Sequence, residues 1–125
     1  SEHVSVDHMI SSHAVRALET AKILAHALNF PKEDIRIDSR IYSTDGEGLF
    51  TEFYDLPQNA SSVMIVGHNP ALTEFVNYFL DPPIDNLPTS GVISISFETE
   101  RWEEVATAAH RVNFMAFPKI LSPDI

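Results

Sequence analysis

His68 follows Gly67 and precedes Asn69-Pro70, so a titratable ring stands where the apolar run VMIV stops and a helical pattern opens. Arg16 occupies a comparable place, just after Ser11-Ser12 and in the opening turns of the chain's clearest helical stretch. Both side chains can handle an anion. An imidazole beside a helix N-terminus can donate to a phosphate oxygen and change charge state with occupancy. A guanidinium fork beside exposed amides makes a phosphate cradle. Without an anion, a cation in the first turns costs roughly 0.3–1 kcal/mol against the helix dipole. Read singly, each residue also has a structural role open to it. Arg16 can project into solvent or pair with Glu19 or Glu2, and His68 can cap or pack.

The elements that must position these two residues follow from periodicity. DHMISS (7–12) reads as a short strand and turn, with the Ser pair as a helix N-cap. Ala14, Ala17, Leu18, Ala21, Leu24, Ala25 and Leu28 form one helix face, closed by Asn29-Phe30-Pro31. IRIDSRIY (35–42) alternates as a strand, STDGEG reads as a loop, and LFTEFYDL as a short helix. SSVMIVG (61–67) has the composition of a strand covered on both faces and is expected to be the central one. Asn69 then serves as N-cap and Pro70 as first helical residue, with Leu72, Phe75, Val76 and Phe79 as the apolar stripe, until Asp81-Pro82-Pro83 stops the helix. NLPTSG is turn-like, GVISISFE alternates as a strand, ERWEEVATAAHRV is a helix or loop, and NFMAFPKIL is a closing strand and tail.

Strands alternating with helices imply an α/β fold with a mostly parallel sheet in one domain spanning 1–125. Ligands bind such sheets beyond the carboxyl ends of the strands, which is where ISSHAVRA and IVGHNPA place their basic groups.

Composition narrows the partners. With 8 Lys+Arg against 18 Asp+Glu, the net charge of -10 repels nucleic acid and anionic lipid, so neither is expected as a partner. Cations at a site therefore form a local island in an acidic surface. The chain has no Cys, which excludes disulfides, thiolate metal sites and cysteine nucleophiles. No apolar run approaches a membrane span, and cytoplasm is the default compartment.

Other candidates are weaker. No Gly-x-Ser-x-Gly elbow surrounds Ser11 or Ser12, and TDGEG lacks the Lys and following helix of a P-loop. His3, His8, His13, His26 and His110 show no metal-ligand spacing. Glu47 and Glu52 are candidates for a general acid, although loop carboxylates are usually solvated.

Two of these blocks resemble a known family. SSHAVRALETAKILA is similar to the Ser-Ser-Pro-x-x-Arg-Ala-x-x-Thr-Ala block of the histidine phosphatase (phosphoglycerate mutase-like) superfamily, and VMIVGHNPALTEFV to its Val-Gly-His-Asn-Pro block. NLPTSGVISISFE and FMAFPKIL resemble later strands of the SixA-like phosphohistidine phosphatase branch. The resemblance spans the chain in order. It implies a three-layer α/β fold with helices flanking a mostly parallel sheet. It also implies a phosphatase with a covalent phosphohistidine intermediate, acting on phosphohistidine of a signalling protein or on small phosphomonoesters. Arg16 and His68 would then be catalytic, and Arg16, His68 and Asn69 would bind phosphate, with no metal or organic cofactor.

Two features depart from the family pattern. The nucleophilic histidine of the family lies in an Arg-His-Gly or Arg-His-Ala motif ending a first strand, and no Arg-His dipeptide occurs here. The first strand is therefore expected upstream of Ser1, with the domain N-terminally incomplete. The alternative is a non-catalytic phosphate- or phosphoprotein-binding module without the nucleophile. His13 stands where the family has Pro, which adds an imidazole at the rim of the site.

Overall fold

A computed structural model describes residues 6–87 and 92–116, which group into two compact units. The first unit takes the chain up to Thr44 and again from Asp55 to His68; the second takes Asp45–Tyr54 and everything from Asn69 onward.

The first unit is α/β. It contains β1 (His8–Ser11), α1 (Val15–Ala27), β2 (Arg36–Ile37), α2 (Arg40–Ser43) and β3 (Val63–Val66). The strands form a parallel sheet ordered β2-β1-β3, with Ser11 level with Val66 on one side and with Ile37 on the other. Among the described residues the inner strand is β1, where β3 was expected, because β3 pairs with β1 alone. Met9 and Ile10 project to opposite faces of β1, yet each is 1% exposed, so both faces of the inner strand are covered. Val63, Met64 and Ile65 of β3 are only half-buried.

Helix α1 packs on this sheet through small residues. Ala17, Ala21 and Ala25 are buried against Met9 and Val66, with Leu24, Leu28 and Phe30 partly buried beside them. Methyl groups on that face let the helix axis come close to the strands. The helix ends as the sequence predicts: Asn29 takes a left-handed φ of 58°. Phe30 N–H then reaches Ala25 O at 2.8 Å and Asn29 N–H reaches His26 O at 3.2 Å, the two bonds of a Schellman cap.

The expected strand at 35–42 is much shorter. Only Arg36–Ile37 ladders, because the Asp38 carboxylate accepts the Arg40 N–H at 2.9 Å and the Arg40 guanidinium at 2.7 Å, turning the chain into α2. That turn places Ile41 in the interior at 2% exposure.

The second unit holds a 3-10 turn at Gly48–Phe53, α3 (Ala71–Asn77), β4 (Val92–Phe97), a 3-10 turn at Trp102–Glu104 and β5 (His110–Ala116). The pair β4-β5 is antiparallel, so the parallel rule expected for most strands holds for the first unit's sheet only. The ladder slips between Ser94 and Ile95, opposite Asn113. The Asn113 amide bridges the slip by donating to Ser94 Oγ at 3.1 Å and Ser96 Oγ at 2.8 Å.

Aromatic rings fill this unit. Phe50 meets Phe75 at 4.8 Å, Phe53 stacks on Phe75 and Trp102, and Phe79 meets Phe97 and His110 edge-on. His110 is exposed, with its Nε2 3.0 Å from Phe79 O. Arg101 forms an exposed pair with Glu103 at 2.7 Å. The hydrogen bond to Glu103, then the charges of Glu103 and Glu104, push its guanidinium further up.

The expected turn at 86–91 and the tail beyond 116 fall partly or wholly outside the described residues, as does His3. Among the described residues no helix is long and apolar enough to cross a membrane.

Candidate active site

The parallel register of β1 and β3 brings their carboxyl ends level. Ser12 N–H donates to Val66 O at 2.9 Å, extending the ladder one residue past β1. The next side chains out from that bond meet. Ser12 Oγ lies 2.7 Å from His68 Nε2, so the strand-to-helix junctions after β1 and β3 are joined by one hydrogen bond.

Ser12 is not the helix N-cap its sequence context predicts, because Ala14 holds that position. Ser12 Oγ accepts the Ala14 N–H at 3.2 Å, while α1 itself begins at Val15. Ser11 Oγ donates to Ser12 O at 2.8 Å. Both serines are 0% exposed, and among the described residues no buried side-chain oxygen or nitrogen lacks a partner.

A second group joins from α2. The Tyr42 ring stands edge-on to His68 at 5.3 Å and 89°, and edge-on to His13 at 5.2 Å and 69°. Tyr42 is 60% exposed, so the three rings form a partly open aromatic wall beside the buried Ser12. His13, expected only at the rim, is drawn into this group through Tyr42.

Arg16 is exposed in the first turn of α1, four residues beyond Ser12. That turn carries no acidic residue, and among the described residues Arg16 makes no ion pair, with Glu19 or any other carboxylate. The positive end of the helix and the guanidinium thus lie together without a side-chain anion to offset them.

Asn69 belongs to the second unit, where its side chain is fully engaged. Oδ1 accepts the Thr73 N–H at 3.1 Å and the Thr73 hydroxyl at 2.7 Å, and Nδ2 donates to Leu87 O at 2.7 Å and Asn86 Oδ1 at 3.1 Å. The helix starts one residue later than the sequence predicts, at Ala71 with Pro70 rather than Asn69 in the cap position, and Asn69 Oδ1 reaches the Thr73 N–H from just outside the helix. Glu47 is exposed, whereas Glu52 is 1% exposed, so the expectation of a solvated loop carboxylate fails for Glu52. Among the described residues no group of three metal-capable side chains assembles.

Two members of the site escaped sequence reasoning. Ser12 reads as a cap in the sequence, and the pair of adjacent serines is the available sign that one hydroxyl is spare. Tyr42 carried no signal, since a tyrosine in an alternating stretch reads as a strand residue.

No family model matches the chain, and no curated protein matches it in sequence. Among solved structures, the putative phosphohistidine phosphatase SixA from Nakamurella multipartitia is similar, with a TM-score of 0.71 at 19% identity. The match covers 93% of this chain and 73% of that one, and at this identity it shows a shared α/β fold.

Proposed function

We propose that the chain forms most of a SixA-like phosphohistidine phosphatase in a single domain of three-layer, phosphoglycerate mutase-like architecture. The observation that carries this reading is the 2.7 Å contact between Ser12 and His68, which ties the two basic strand-to-helix junctions together at one sheet edge. The fold of the similar structure and the two quoted sequence blocks support it.

In this reading a histidine upstream of Ser1 attacks phosphorus. An N–P bond forms as the bond to the leaving group breaks, and water then hydrolyses the phosphoenzyme. Arg16 and His68 hold the equatorial oxygens, so catalysis rests on positioning and on positive charge fixed before the reaction. The strand carrying that histidine would cover the free edge of β3, which pairs on one side only among the described residues. Asn69, whose side chain is occupied, would contribute through its backbone N–H. The substrate is a phosphohistidine of a signalling protein or a small phosphomonoester.

The test is an assay of the full-length protein on a phosphorylated histidine-containing domain and on p-nitrophenyl phosphate, with acid-labile phosphoenzyme trapped from radiolabelled substrate. Turnover of either substrate together with a trapped N–P intermediate is the expected result. Silence on both overturns the enzyme; phosphate binding without turnover would make the chain a phosphate- or phosphoprotein-binding module.

A further inference from the structure

We infer that Ser12 sets the tautomer of His68: its hydroxyl donates to Nε2, so the ring carries its proton on Nδ1 and offers that N–H to a phosphoryl oxygen. The first half stands on the hydrogen bonds alone; the second rests on the phosphoryl reading above.

A serine hydroxyl has one proton and two lone pairs. The Ala14 N–H fills one lone pair of Ser12 Oγ. If His68 donated from Nε2, it would fill the other, and the hydroxyl proton would be left without an acceptor among the described residues. Ser12 is 0% exposed, so water cannot take that proton, and an unmet buried donor is costly. Ser11 offers no relief, because its hydroxyl turns to Ser12 O. Donation from Ser12 to Nε2 satisfies every group, and the 2.7 Å separation suits an O–H donor.

With Nε2 so engaged, Nδ1–H is the remaining polar edge of the ring. It meets no partner among the described residues, and His68 is half-buried. Tyr42, edge-on at 5.3 Å, opposes the ring flip that would exchange the two nitrogens. Ser12 is thus a positioning residue. It acts on the substrate only through His68, by presenting an N–H donor of fixed direction.

The experiment is long-range nitrogen–proton correlation NMR of the histidine rings of the full-length protein at alkaline pH, where neutral tautomers are distinguished by their nitrogen shifts. His68 is expected in the Nδ1–H form, moving toward the Nε2–H form in Ser12→Ala and returning in Ser12→Thr, which keeps the hydroxyl. A native His68 in the Nε2–H form overturns the inference. Should Ser12→Ala fail to fold, the native spectrum still decides. Titration with inorganic phosphate tests the second half. Expected are a shift of the His68 nitrogens and binding about tenfold weaker in Ser12→Ala. A native ring in the Nδ1–H form that ignores phosphate leaves the tautomer assignment standing and overturns the phosphoryl role.

Discussion

The rings of Tyr42 and His68 meet edge-on, with centroids 5.3 Å apart and planes at 89°, and Tyr42 also meets His13 edge-on at 5.2 Å. One exposed phenol therefore restrains two imidazoles. Each such aromatic pair is worth about 0.5–1.5 kcal/mol beyond area burial. Tyr42→Phe keeps both contacts, and its thermal midpoint and His68 NMR signals should match the native protein. Tyr42→Ala should lower stability by about 1 kcal/mol and broaden the His68 ring signals. An alanine variant with unchanged His68 resonances would show that the wall does not restrain the ring.

Arg16 lies without a partnering carboxylate among the described residues, so its removal should leave folding nearly unchanged. Surface substitutions of this kind usually fall within about 0.5 kcal/mol. Arg16→Ala should nonetheless lower kcat/KM on p-nitrophenyl phosphate by about 10²–10³, the size seen when one preorganised donor is removed. Arg16→Lys should recover only part of this, because an ammonium cannot present the two-pronged fork. Equal activity in all three proteins, measured by steady-state kinetics, would remove Arg16 from the site.

Asn69 makes four side-chain hydrogen bonds within the second unit, two accepted from Thr73 and two donated to Asn86 and Leu87. Asn69→Ala removes them all and should cost about 1–3 kcal/mol, with Leu87 O and the Thr73 N–H left to find new partners. Asn69→Asp keeps both acceptors and loses both donors, and should fall between. Urea denaturation orders the three. An Asn69→Ala midpoint equal to the native one would show that these bonds add no net stability.

Gly46 approaches the backbone of α3 so closely that an added Cβ would lie 2.7 Å from Phe75 N and overlap Glu74. Its own N–H donates to Glu74 Oε1 at 2.9 Å. Gly46→Ala should therefore destabilise the protein by about 1–3 kcal/mol, as overpacking does, read as a lower denaturation midpoint. Glu74→Gln keeps an acceptor and should be milder. An alanine at 46 that stabilises the protein would contradict this packing.

Much of the first unit is legible in the sequence. Helix α1 announced itself because seven apolar residues share one face, and Asn29 marked its end because few residues other than Gly accept φ above zero. IRIDSRIY misleads because alternation reports a half-buried surface, and a side-chain carboxylate at the fourth residue of the stretch competes for the backbone. Asp38 wins that competition by accepting the Arg40 N–H, and no period-two count registers it.

The sequence by itself determined that Arg16 and His68 would each stand at a strand-to-helix junction, since strand ends and helix starts are local events written in neighbouring residues. Whether those junctions meet was decided only by tertiary structure. The parallel pairing of β1 with β3 at Ser11 and Val66 levels the two strand ends, and a slip of one residue would have turned the side chains to opposite faces. That register converts Ser12 from a capping residue into the partner of His68. It also lets Tyr42, placed by the turn at Asp38, close on both histidines. Such contacts depend on chain segments remote in sequence, and their distances come from packing rather than from any spacing along the chain.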